Sequence, residues 1–176
     1  SDKTPLCAIA VQKICAEVMH AEQLPPVLSL FVESDTEFVE QLVEEPDVAL
    51  VSFTGSSAVG RHVGERVAAR MGRSLLELSG NNALIVDETA DLELALPAIV
   101  FGSVGTAGQR CTSTRRLFLH DDIYDQLIVS VIKAYQQIRI GDPLDESVLM
   151  GPLIDEPSQH RFFAAVDEVE VAGGEV

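Results

Sequence analysis

VALVSFTGSSAVGRHVGERVAARMGRSLLELSG, residues 48–80, decides the fold. Its opening apolar run reads as a strand that ends at Thr54, and Gly55 permits a tight turn. SAVGRHVGERVAARMG follows at helical period and is stopped by Gly72. SLLELSG then reads as a second strand. The same alternation runs outward in both directions, which is the signature of an α/β fold built from parallel-sheet layers. TPLCAIAVQKICAEVMH is predicted helical, with Thr4 as N-cap and Pro5 at its first position. VLSLFV reads as a strand after Pro25-Pro26, and DTEFVEQLVEE as a helix capped by Asp35 and ended by Pro46. Downstream, NALIVD and RRLFLH read as strands, and LELALPAIVFGSVGTAG reads as mostly helical. IYDQLIVSVIKAYQQI is the clearest amphipathic helix, and EPSQHRFFAAVDEVEVAGGEV carries a last helix before Gly173-Gly174. No internal repeat and no low-complexity linker interrupts this order.

Composition narrows the function classes. The 176 residues are 47% hydrophobic, enough for a real core. Twenty-eight acids against twelve bases give a net charge of −16. That charge repels phosphate backbones and anionic lipid, so neither nucleic acid nor a membrane is an expected partner. The three cysteines, at 7, 15 and 111, are too scattered for a disulfide framework. With no signal-peptide pattern at Ser1-Asp2-Lys3, a cytoplasmic setting is expected. His20, His62, His120 and His160 are well separated, so no metal site is expected.

Three stretches could carry chemistry. SFTGSSAVG has the form of an anion site: a strand end, Gly55 for the turn, Ser56 as cap, and free N–H groups at a helix start. It is neither a Walker A loop nor a G-x-G-x-x-G fingerprint, and glycine there for geometry alone is an equal reading. Gly60 and Gly64 lie one turn apart and allow close helix approach. LLELSGNN places Glu77 among leucines. It can face solvent, it can bind a cofactor ribose as a Rossmann acid about 20 residues past the glycine turn, or it can act as a general base. GTAGQRCTSTRR places Cys111 among Arg110, Arg115 and Arg116, whose charge is of the kind that activates a thiol. A lone cysteine is more often inert filler, and both readings stay open on spacing alone. The histidines are well separated and a Cys-His pairing is not expected, so a nucleophilic Cys111 needs another base, and Glu77 is the candidate.

FTGSSAVG, LELSGNNALIV and GTAGQRCTSTRRLFLH together, in that order, resemble the NAD(P)-dependent aldehyde dehydrogenase superfamily. LSGNNA and TAGQRCT are most similar to its antiquitin, or α-aminoadipic semialdehyde dehydrogenase, branch. The resemblance covers nearly the whole chain and implies an internal segment of that fold. Residues 1–79 would be the later part of the NAD-binding domain, and residues 80–176 the first part of the thiol-bearing catalytic domain. It implies Cys111 as nucleophile and Glu77 as the base that activates the hydrolytic water, so the ribose role for Glu77 gives way. Gly55, Ser56 and Gly60 are assigned to the cofactor pyrophosphate turn, Gly80 to the nicotinamide side and Asp2 to the adenine-side ribose. Arg110 is assigned to a substrate carboxylate. NAD is the implied cofactor, with NADP as an alternative, and a small aldehyde the implied substrate. A homo-oligomer is expected. The family usually has glycine where Ser79 stands. The family's oxyanion asparagine and ribose lysine would precede Ser1, so the rival expectation is an inactive remnant that binds nucleotide or self-associates.

Overall fold

The computed structural model describes residues 3–33 and 35–175. The chain forms two compact units that divide between Glu77 and Leu78.

The first unit opens with α1 (Pro5–Ala21). Thr4 occupies its N-cap, but its side chain accepts no capping bond, and Pro5 supplies the first turn. Residues 27–32, expected as a strand, form none. A strand exists only through a hydrogen-bonded neighbour. Here Val27 N–H bonds to Pro25 O, and Leu28 O is taken by the Gln12 side chain. In α2 (Glu37–Glu44) Thr36 holds the N-cap position, while Asp35 Oδ1 accepts the Glu37 N–H at 3.1 Å. Then come β1 (Leu50–Thr54), α3 (Ser57–Ala69) and β2 (Arg73–Glu77). β1 and β2 pair in parallel, from Leu50 opposite Arg73 to Thr54 opposite Glu77. The core is Val43, Val63 and Val67, packed by Val51, Phe53 and Leu76. Gly64 lets α3 lie against β2, because a Cβ there would sit 3.1 Å from Leu76 Cδ1.

Polar contacts fasten α2 to α3 at intervals of one turn. His62 Nε2 bonds Glu40, Arg66 pairs with Glu44, and Arg70 donates to the carbonyls of Val43 and Val48. The helix stop differs from expectation in one respect. Met71, not Gly72, takes the left-handed conformation (φ 58°), and Gly72 closes the end by donating to Val67 O.

The second unit repeats the scheme with β3 (Asn82–Val86), α4 (Leu92–Val104), β4 (Thr114–Leu119), α5 (Asp121–Gln136) and α6 (Glu156–Val171). β3 and β4 are parallel, with a register shift between Asn82 and Ala83. Asp91 caps α4 through Oδ1 to the Glu93 and Leu94 N–H groups, and Asp155 caps α6 through Oδ1 to the Ser158 N–H. Val86, Ile99, Ile123, Leu127 and Val131 form the core. α4 is shorter than the sequence period suggested. It ends at Val104, and residues 105–108 form a tight turn in which Thr106 (φ 56°), Ala107 (φ 52°) and Gly108 (φ 70°) are all left-handed. That conformation cannot continue a right-handed helix.

Candidate functional site

In the first unit the chain leaves β1 at Thr54 and turns through Gly55 into α3. Gly55 is required there by packing: a Cβ would sit 2.6 Å from Phe53 Cζ. Ser56 caps the helix, its Oγ accepting the Val59 N–H at 3.3 Å. Residues 54–59 are all exposed, while Gly60 is buried on the inner face of α3. Gly55 N–H also donates to Glu77 O at 3.0 Å. Glu77 is not mid-strand but the last residue of β2, and its side chain is exposed. The fold therefore places the glycine turn, Ser56 and Glu77 at one end of the β1–β2 pair. Asp2 lies outside the described residues.

In the second unit Cys111 is exposed on the loop between the left-handed turn and β4. Its backbone is anchored from two sides. Ser113, 2% exposed, donates its N–H to Arg110 O at 3.1 Å and accepts the Arg110 N–H on Oγ at 3.1 Å. Asn82 Nδ2 donates to Cys111 O at 2.6 Å and to Ser113 O at 3.0 Å. Gln109 reinforces the turn, its Nε2 donating to Thr106 O and its Oε1 accepting the Ile154 N–H. Gly80 lies exposed before β3, where a Cβ would sit 3.0 Å from Asn82 Oδ1. Ser79, also exposed, precedes it.

Two of the arginines expected around the thiol, Arg110 and Arg116, make other contacts. Arg110 turns back onto α4, where Nη2 donates to Phe101 O at 2.9 Å and the guanidinium lies 4.7 Å from the Phe101 ring centroid. Its Nε is buried without a hydrogen-bond partner among the described residues. Arg116 donates to Asn81 O and lies over Phe118. Arg110 borders a largely apolar cavity of about 520 Å³ whose wall includes Leu96, Val100, Phe101, Val104 and Leu149. Asn82 and Ser113 were not singled out by sequence reasoning. Period-two alternation held a signal for Asn82, since it shares the inward face of β3 with Leu84 and Val86, where a polar side chain requires partners. Among the described residues no cluster of His, Cys, Asp and Glu could hold a metal ion. No helix there is long and apolar enough to cross a membrane.

Comparison with known proteins places these features in context. The model of the aldehyde dehydrogenase family matches residues 1–176. The chain is 49% identical to a putative aldehyde dehydrogenase family 7 member A1 homolog of Caenorhabditis elegans, over 98% of this chain and 33% of that protein. It is 46% identical to the alpha-aminoadipic semialdehyde dehydrogenase of Bos taurus, over 98% of this chain and 32% of that protein. The chain thus spans about a third of the length of the curated relatives it matches. Among solved structures, an aldehyde dehydrogenase of Mycobacterium tuberculosis complexed with NAD+ matches with TM-score 0.86 and 36% identity, over 97% of this chain and 34% of that one. A betaine aldehyde dehydrogenase double mutant of Staphylococcus aureus, in complex with NAD+, matches with TM-score 0.88 and 29% identity, over 98% of this chain and 34% of that one.

Proposed function

Since this chain belongs to the aldehyde dehydrogenase family, we propose that it supplies the nucleophile and part of the cofactor cleft for NAD-dependent oxidation of an aldehyde to a carboxylic acid. The first unit is read as the later part of the NAD-binding domain and the second as the first part of the thiol-bearing domain. The observation that carries the reading is Cys111, exposed on a loop whose backbone is tied down at both neighbouring carbonyls. Cys7 is exposed as well, but on a helix; the anchored loop is what sets Cys111 apart.

The strand end, glycine turn and exposed first turn of α3 fit a dinucleotide pyrophosphate. The N–H groups of a helix start are unpaired by the helix itself and carry partial positive charge. NAD, the ligand of the M. tuberculosis relative, supplies the hydride acceptor when bound. Ser56 and Gly55 would hold the pyrophosphate side, Gly60 is assigned to the same turn, and Gly80 is assigned to the nicotinamide side. Asp2 is assigned to the adenine-side ribose.

The protein's own groups carry the covalent steps. The Cys111 thiolate adds to the aldehyde carbonyl carbon and forms a C–S bond, and the carbonyl electron pair moves onto oxygen as a thiohemiacetal alkoxide. The Cys111 N–H is assigned to donate to that oxygen. Loss of hydride re-forms the carbonyl as a thioester. Glu77 takes a proton from water as the water attacks, the C–S bond breaks, and the acid leaves with the thiolate restored. Arg110 is assigned to a carboxylate on the substrate, so that an amino-acid-derived semialdehyde is the favoured class. Its place at the wall of the apolar cavity supports that assignment.

The test is aldehyde-dependent NADH formation across small aliphatic aldehydes and aminoadipate semialdehyde, with Cys111→Ala as control. Turnover should vanish in the variant and be fastest with the semialdehyde. Equal turnover with and without the thiol would sink the reading.

A further inference from the structure

We propose that Asn82 is the positioning residue of the Cys111 turn: its side-chain amide fixes the direction in which the thiol projects. This rests on reading Cys111 as the nucleophile. The argument is one of peptide planes. Each peptide group is rigid, so the direction of a Cα–Cβ bond is set once the planes on either side of that Cα are held. The plane before Cys111 is held through Arg110 O, which accepts the Ser113 N–H at 3.1 Å. The plane after it is held through Cys111 O, which accepts from Asn82 Nδ2 at 2.6 Å. The second hydrogen of the same amide goes to Ser113 O at 3.0 Å, so one side chain fastens the turn at two points. With both planes held, only χ1 of Cys111 remains to aim the sulfur. Because Arg110 O faces Ser113, the trans peptide turns the Cys111 N–H the opposite way, available to a developing oxyanion.

Asparagine suits this position better than its near relatives. Unlike aspartic acid or serine, asparagine carries two donors for two carbonyl oxygens, and its amide oxygen lies on the Gly80 side. The residue stands at the first position of β3, beside the register shift between Asn82 and Ala83. The amide is therefore held by a strand and not by another loop. Gly80 gains a second reason to be glycine: a side chain there would press on Asn82 Oδ1 and disturb the clamp.

Asn82→Asp tests this with a near-isosteric change. Its ionised carboxylate has no donor and faces two carbonyl oxygens; when protonated it recovers one donor. Expected is a kcat lower than wild type by roughly ten- to a hundredfold at pH 8. The ratio to wild type should recover as pH falls toward the carboxyl range near about 4. The KM for NAD should hold within about threefold, because the pyrophosphate turn is untouched. A separate readout is the rate of Cys111 alkylation by iodoacetamide, which should change in the variant with the same pH dependence. Wild-type kcat and alkylation would overturn the proposal, and so would a loss equal at every pH. If Asn82→Asp lacks the wild-type unfolding transition, the same measurements are made on Asn82→Ser, whose hydroxyl serves one carbonyl only. A lowered kcat and a changed alkylation rate in Asn82→Ser support the clamp, and wild-type values of both overturn it. Turnover surviving in Cys111→Ala would refute the nucleophile reading instead, while the alkylation rate still reports on the clamp.

Discussion

The Gly55 N–H donates to Glu77 O at 3.0 Å, so one hydrogen bond ties the turn before α3 to the residue that ends β2. The turn assigned to the cofactor and the carboxylate assigned to water activation therefore share a backbone link. A change that shifts one will be felt by the other.

Gly55→Ala should disturb both. The new methyl would stand 2.6 Å from the Phe53 ring, which packs on the Val43, Val63 and Val67 core. Overpacking of this kind costs about 1–3 kcal/mol. Denaturant unfolding should show that loss, and titration with NAD should show weaker binding. An unchanged midpoint would mean the ring can swing clear.

Glu77→Gln keeps the backbone carbonyl, and with it the bond to Gly55, but removes the carboxylate. Stopped-flow measurement should then show about one equivalent of NADH per site formed rapidly. Turnover after that should be slower than wild type by about 10²–10⁴. A variant slow from the first equivalent would place the lost step before thioester formation.

Leu127, 2% exposed at the centre of the second unit's core, should lose about 2–5 kcal/mol on Leu127→Ala. Val129, 49% exposed on the same helix, should stay within about 0.5 kcal/mol on Val129→Ala. Comparable losses at both positions in chemical denaturation would contradict the orientation of α5.

Asp87 tests the electrostatics. The Thr89 hydroxyl donates to its Oδ1 at 2.8 Å and the Thr89 N–H at 3.0 Å; these bonds, the hydroxyl's first, hold the carboxyl below its ordinary 3.8. A carboxyl depressed in the folded state contributes stability above its unfolded pKa and loses it as pH falls through the folded one. The effect is thus confined to pH below about 4. In Thr89→Ala, NMR titration of the Asp87 carboxyl carbon should move upward toward the ordinary value. No movement would assign the depression to the Thr89 N–H, the His120 charge and the Ala90 N–H instead.

Helix starts were the most legible part of the sequence. Pro5 and Ser56 act within one turn of their own position, so nearby residues suffice to read them, while Asp35, expected as a cap, stands one residue ahead of the Thr36 cap position. VLSLFV shows the opposite case. Its pattern favours an extended chain, but a strand needs a neighbour, and no local signal reports one. Gly72 was a plausible stop, yet Met71 takes the left-handed position beside it, at 95% exposure, where its side chain meets no obstacle. Of the site, Cys111, Glu77 and Gly55 stood out by residue type. Asn82 did not, because its partners lie on the loop ahead of β4 and not among its neighbours in sequence. The return of Arg110 onto Phe101 was hidden for the same reason: it depends on where α4 ends.

That ending has a cost held within the loop. Thr106 and Ala107 are both left-handed, a conformation that disfavours a residue with a Cβ by roughly 1–2 kcal/mol. Glycine at either position would relieve the strain, but it would also widen the range of shapes open to the unfolded chain and loosen the segment just ahead of the thiol. Selection for heat resistance and selection for turnover would then pull these two positions in opposite directions. Sequences that have drifted to glycine at 106 or 107 would be recognisable by a more mobile cysteine.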